Sequence, residues 1–79
     1  MKAKKSIFIT GGAGFVGSAL VPYLLERNFK ITVFDLMIYG NCFNENNKDL
    51  TIVKGDIRDI DLIEKTSRNH DIAIHLACI

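Results

Sequence analysis

The chain has 79 residues, 48% of them hydrophobic and 24% charged, with six Gly and one Pro. That composition excludes a disordered tail, a collagen and a disulfide-stapled miniprotein. Ten basic residues against nine acidic leave a net charge of +1. There is no basic surplus to grip a phosphate backbone, so nucleic acid is not an expected partner.

The length fits one small domain or half of a larger one. A chain of this size buries only roughly 60% of its unfolded surface and is marginal without help. Cys42 and Cys78 stand 36 residues apart, without CxxC spacing or a paired His motif. They read as reduced thiols of a cytoplasmic chain, not as a redox or zinc site.

Residues 6–25 contain no charge and follow the basic stretch Met1-Lys-Ala-Lys-Lys5. Such a pattern also occurs in signal peptides and membrane spans. Here Gly11, Gly12, Gly14, Gly17 and Pro22 interrupt it, and the apolar run Ile7-Phe-Ile9 stops after three residues. The expectation is no membrane partner.

Residues 6–10 form a short apolar, β-branched run that fits a strand buried on both faces. Residues 11–14 break it. From Phe15 the period becomes helical, and Phe15, Val16, Ala19, Leu20, Tyr23 and Leu24 are expected to make one inward face. Asn28 suits the left-handed position after that helix. Pro22 removes the bond to the Ser18 carbonyl, which predicts a kinked helix rather than two helices.

Residues 30–34 read as a second strand, with Asp35 at its end. Residues 41–49 hold four asparagines with Lys48, Glu45 and Asp49, and read as a solvated, mobile loop. Residues 50–54 read as a third strand, closed by Gly55 and Asp56. Residues 59–67 read as a short helix with Ile60 and Ile63 inward and Asp59 as its cap. Residues 71–75 read as a fourth strand. This alternation predicts an α/β fold: the first part of a doubly wound (Rossmann) parallel sheet, with right-handed crossovers and strand order 3-2-1-4.

Thr10-Gly-Gly-Ala-Gly-Phe-Val-Gly17 lies between the first strand and the first helix. Gly11 can take a backbone angle forbidden to other residues. Gly14 lets a pyrophosphate approach the main chain, and Gly17 lets the helix lie close to the sheet. The amides of residues 14–17 are then expected to converge on one spot, with the helix dipole adding positive potential. The dipole contributes only ~0.3–1 kcal/mol. Hydrogen bonds to a charged group contribute about 1.5–3 kcal/mol each, so the bonds dominate.

A tight turn with no ligand has the same three glycines, and context separates the two readings. The turn follows a strand, opens a helix, and an acid stands at the end of the next strand. Asp35 comes 18 residues after Gly17, near the spacing of a ribose-binding carboxylate. An ionised Asp35 would accept from both ribose hydroxyls. It would also repel a 2′-phosphate by about 4 kcal/mol at ~4 Å and an effective dielectric near 20. That favours NAD over NADP.

These residues resemble the extended short-chain dehydrogenase/reductase family, and within it the NAD-dependent epimerases and dehydratases acting on nucleotide sugars. Three segments carry the resemblance. The glycine turn is similar to the family's T-G-G-x-G-F-[IV]-G form. Gly55-Asp-Ile-Arg-Asp59 is similar to its adenine-binding segment, and His75-Leu-Ala-Cys78 to its H-L-A-A segment. Cys78 stands where the family usually has Ala.

The resemblance implies roles. Phe15 and Val16 donate main-chain bonds to the pyrophosphate, beside Gly11, Gly14 and Gly17. Asp35 and Leu36 flank the adenosine ribose. Asp56 accepts from the adenine amino group, and Ile57 packs on the ring. Leu76 and Ala77 line the path toward the nicotinamide. His75 reads as a structural strand-end residue. Asp59, Asp61 and Glu64 read as a solvated helix face.

In that family a Tyr, and a Lys four residues later, move the proton. Tyr23 is followed at that spacing by Arg27, and Tyr39 by Phe43. Neither matches, so no catalytic residue is assigned. The expectation is the N-terminal part, residues 1–79, of the NAD-binding Rossmann domain of a nucleotide-sugar epimerase or dehydratase, whose parent is a cytoplasmic homodimer. Alone it would have no turnover and an open fourth-strand edge. The alternative is a non-catalytic module that senses NAD or another nucleotide.

Overall fold

A computed structural model of the chain describes residues 4–36 and 47–77. Tyr39, Cys42, Cys78 and residues 41–46 of the Asn-rich segment lie outside the described residues. The elements in chain order are β1 (Ser6–Thr10), α1 (Phe15–Glu26), β2 (Lys30–Asp35), β3 (Leu50–Lys54), α2 (Ile60–Ser67) and β4 (Ile72–His75). Every expected strand and helix is present, with boundaries within a residue of expectation.

The strands are parallel and ordered β3-β2-β1-β4. Ile9 pairs with Val33 on one side and Ile74 on the other, and Val33 pairs with Ile52. Side chains alternate across a strand, so these residues share one face of the sheet. Phe8 and Phe34 occupy the other. The step from β1 to β2 and the step from β3 to β4 run in opposite directions. Right-handed crossovers therefore put α1 and α2 on opposite faces.

The packing agrees. Val21 of α1 is fully buried with Ile7, Ile9, Ile31, Val33 and Leu50. Each such side chain contributes roughly 1.5–3 kcal/mol by leaving water. On the opposite face the Phe8 ring lies 6.0 Å from Phe34 and 5.6 Å from His70. The half-buried His70 is satisfied at both ring nitrogens: Nδ1 lies 3.0 Å from the Ser67 carbonyl and Nε2 3.0 Å from Thr32 Oγ1. Leu62 of α2 reaches this face, since a Cβ on Gly55 would meet Leu62 Cδ2 at 2.8 Å and Phe34 Cζ at 2.6 Å.

The inward face of α1 differs from the expected one. Phe15 is 95% exposed, Val16 59% and Tyr23 51%, and Ala19 is exposed as well. The buried stripe is Gly17 and Val21, with Leu24 and Leu25 packed against the core. These fall at helical positions i, i+4, i+7 and i+8. Nearly every side of this helix is apolar, so no polar face marks the outside. The closest approach decides instead: a Cβ on Gly17 would stand 2.1 Å from the Gly12 carbonyl oxygen. The glycine must face the sheet, and the rest of the stripe follows from it.

The helix runs through Pro22 as a single element, and Pro22 is exposed. Asn28 follows at φ 68°, the left-handed position expected of it. Among the described residues, no helix is long and apolar enough to cross a membrane.

In α2 the Asp59 side chain accepts from the Leu62 amide at 3.1 Å and caps the helix as expected. Ile60 does not point inward; it is 74% exposed. The half-buried positions are Leu62, Ile63, Thr66 and Ser67. Ile60 lies at the edge of that stripe and is the first residue of the helix.

Candidate functional site: the crevice at the carboxyl ends of the strands

Parallel strands bring all their carboxyl ends to one edge of the sheet. Every expected site residue sits there: the glycine turn after β1, Asp35 and Leu36 at β2, Asp56 and Ile57 after β3, Leu76 and Ala77 after β4. Main-chain bonds tie the ends together. Gly11 N–H donates to the Phe34 carbonyl at 2.8 Å, Leu76 N–H to Thr10 at 2.9 Å, and Gly55 N–H to Asp35 at 2.9 Å. In open α/β sheets this edge, where the strand order reverses, is where ligands bind.

The glycines have separable duties. Gly11 adopts φ +72°, and a Cβ there would meet the Ala77 nitrogen at 2.6 Å. Both its angle and its neighbour require glycine. Gly17 is required by helix packing, as described above. Gly14 is different. Its φ is −78°, open to any residue. A Cβ there would meet only the Gly11 carbonyl oxygen, at 3.4 Å. Neither backbone nor packing asks for glycine at 14, and the space its missing side chain leaves faces outward.

The amides differ slightly from expectation. Gly14 N–H is used inside the turn, donating to Gly11 at 3.2 Å. The first bond of α1 runs from Ser18 N–H to the Gly14 carbonyl at 2.8 Å. The first-turn amides of Phe15, Val16 and Gly17 therefore have no acceptor within the helix. Gly14, as N-cap, offers no side-chain oxygen, and the first turn contains no acid. The positive end of α1 thus stays without a protein counter-charge in its first turn, which suits an anion.

Asp35 is half-buried, and its Oδ2 accepts from the Ala13 amide at 3.1 Å. The carboxylate is thereby fastened beside the tip of the turn. Leu36 next to it is 43% exposed.

Asp56 is held by Arg58. Oδ1 accepts from Arg58 N–H at 2.9 Å and from Nε at 3.0 Å; Oδ2 accepts from Nε at 3.0 Å and Nη2 at 2.5 Å. These bonds, first of all those from the side chain, push the carboxyl down to about 2 from its ordinary 3.8. Ile57, Leu76 and Ala77 are half-buried around this edge.

His75 lies with Nδ1 2.5 Å from Thr10 Oγ1. Thr10 is only 6% exposed, so the ring partners a buried hydroxyl, in keeping with a structural role. The only described tyrosine is also accounted for: the Arg27 guanidinium lies 3.5 Å from the Tyr23 ring centroid, away from the crevice on α1. Two contributors had no role assigned from sequence, Ala13 and Arg58. Ala13 acts through its backbone and has no side-chain signal. Arg58 had one: an acid and a base two apart just after a strand.

This donor set fits a dinucleotide. Outward amides and an open approach at Gly14 suit a diphosphate, and two carboxylates beside them suit hydroxyl and amino donors.

Comparison with known proteins agrees with that chemistry. The family model described as the NAD dependent epimerase/dehydratase family matches residues 7–79. A dTDP-D-glucose 4,6-dehydratase of Dictyostelium discoideum is 44% identical over 84 residues, covering 92% of this chain and 19% of its own length. A UDP-glucose 4-epimerase of Halalkalibacterium halodurans is 38% identical over 74 residues, covering 91% of this chain and 22% of its own length. Among solved structures, dTDP-glucose 4,6-dehydratase from Bacillus anthracis in complex with NAD superposes with a TM-score of 0.80 at 33% identity, covering 95% of this chain and 27% of that one. Bordetella bronchiseptica WbmG, solved with NAD and UDP, gives 0.79 at 29% identity, covering 92% and 24%. This chain thus spans about a quarter or less of each of these four proteins. By its match over residues 7–79, joined to this sheet order and glycine turn, the chain belongs to the NAD dependent epimerase/dehydratase family.

Proposed function

We propose that residues 1–79 are the N-terminal part of the dinucleotide-binding domain of an NAD-dependent nucleotide-sugar epimerase or dehydratase. The observation that carries this reading is the glycine at 14, which the fold itself does not need. Beside it stand the uncapped amides of Phe15 and Val16 and the fastened carboxylate of Asp35.

In this reading the chain's residues bind and orient. The amides of Phe15, Val16 and Gly17 hold the diphosphate. Asp35 receives the two hydroxyls of the adenosine ribose, and its charge repels a 2′-phosphate. Asp56 accepts from the adenine amino group, with Ile57 against the ring. Leu76 and Ala77 exclude water on the way to the nicotinamide. Bound NAD supplies a hydride acceptor for a sugar carbon bearing a hydroxyl group. No residue among 1–79 is assigned the proton transfer.

Calorimetric titration with NAD and NADP tests the proposal. NAD should bind and NADP should bind at least tenfold more weakly. Equal affinity for the two, or no binding of NAD, would overturn it.

A further inference from the structure

The sequence resemblance gives Asp56 a role but none to Arg58, and among the described residues every hydrogen bond to that carboxylate comes from Arg58. We infer that Arg58 is a positioning residue that sets Asp56 to read the base of the dinucleotide. This rests on the proposed placement of adenine at Asp56.

An ionised carboxylate offers four lone-pair sites. The Arg58 main-chain amide takes one on Oδ1, at 2.9 Å. The guanidinium fork gives two more hydrogens: Nε–H, shared between Oδ1 and Oδ2 at 3.0 Å each, and Nη2–H to Oδ2 at 2.5 Å. Three donated hydrogens against four sites leave the carboxylate able to accept one more. Two planar groups joined by a fork hold each other in one orientation, which a single ammonium cannot do. The Asp56 side chain is 29% exposed and that of Arg58 76%. The carboxylate is thus the more buried partner and the arginine the more exposed one. A fixed carboxylate with one open acceptor direction selects a ligand edge that donates one N–H there. The 6-amino group of adenine does so. The 6-keto group of hypoxanthine presents an oxygen to the same spot and is repelled.

The test compares NAD with nicotinamide hypoxanthine dinucleotide, titrated into wild-type protein, Arg58→Met, Arg58→Lys and Asp56→Ala. Unfolding midpoints confirm that each variant is folded, which the exposure of Arg58 favours. The expected result is a preference for NAD in wild type. That preference should fall about tenfold or more in both Arg58→Met and Asp56→Ala, with partial recovery in Arg58→Lys. A loss of stability alone would weaken both dinucleotides equally and leave their ratio unchanged. If Asp56→Ala erases the preference and Arg58→Met keeps it, the inference about Arg58 fails while the adenine placement survives. Tighter NAD binding in Arg58→Met would also overturn it, because Arg58 would then compete with the base. If Asp56→Ala keeps the preference, the adenine placement itself falls.

Discussion

The Ala13 amide donates to Oδ2 of Asp35 across 3.1 Å, fastening the tip of the glycine turn to the end of β2. This carboxylate holds the turn and, in the proposed function, also faces the ribose. The two tasks can be separated by substitution. Asp35→Asn keeps an oxygen for Ala13 and removes the charge; Asp35→Ala removes both. Titration calorimetry should show Asp35→Asn losing most of the bias against NADP, a change of tenfold or more. Asp35→Ala should in addition bind NAD more weakly, by about 1.5–3 kcal/mol. An unchanged cofactor preference in both variants would remove the ribose assignment.

The glycines predict a contrast between binding and folding. Gly14→Val places its side chain in open space at an ordinary φ, so the unfolding midpoint should stay near wild type while NAD binding is lost. Gly17→Ala puts a methyl 2.1 Å from the Gly12 carbonyl, and overpacking of that kind costs about 1–3 kcal/mol. Denaturant unfolding of the two variants checks this. A Gly14→Val protein that binds NAD fully would refute the role of the turn.

The Asp56–Arg58 pair makes stability sensitive to acid. The folded carboxyl is depressed, to about 2 from 3.8. Its contribution is fully present above 3.8 and is lost as the pH falls from there through about 2. Arg58→Met should flatten stability over that window, measured as denaturation midpoint against pH. Parallel curves for wild type and variant would show that the pair contributes nothing.

The cap of α2 is a single bond from the Leu62 amide to Asp59. Asp59→Ala should cost about 1 kcal/mol and Asp59→Ser far less. For a domain of this size that corresponds to a fall of roughly 4–8 °C in unfolding temperature. Equal midpoints for the Ala and Ser variants would contradict the capping role.

The strands and their order were legible because buried parallel strands are short apolar runs, and because a crossover has one hand. The glycine turn and Asp35 were legible because backbone constraints write themselves as residue types at fixed spacing. The inward face of α1 was not, since periodicity needs a polar side to contrast with, and the exposed Phe15, Val16, Ala19 and Tyr23 supply none. Gly17 held the missing information: a glycine that permits close approach also says which side approaches. Ile60 misled for a related reason, because an apolar residue beside a cap can face solvent. Arg58 escaped because an acid and a base two apart after a strand leave the side-chain rotamer, and so the pairing, unset.

The most direct test of the central claim is an NMR titration of isotopically labelled protein with NAD, following backbone amides. The largest shifts are expected at Phe15, Val16 and Gly17, with Asp35 and Ala13 next. The opposite edge of the sheet offers a built-in comparison, a hollow of about 470 Å³ lined by Lys4, Lys30, Thr32, Lys48 and His70 among others. Shifts concentrated there, with the first turn of α1 unmoved, would contradict the account.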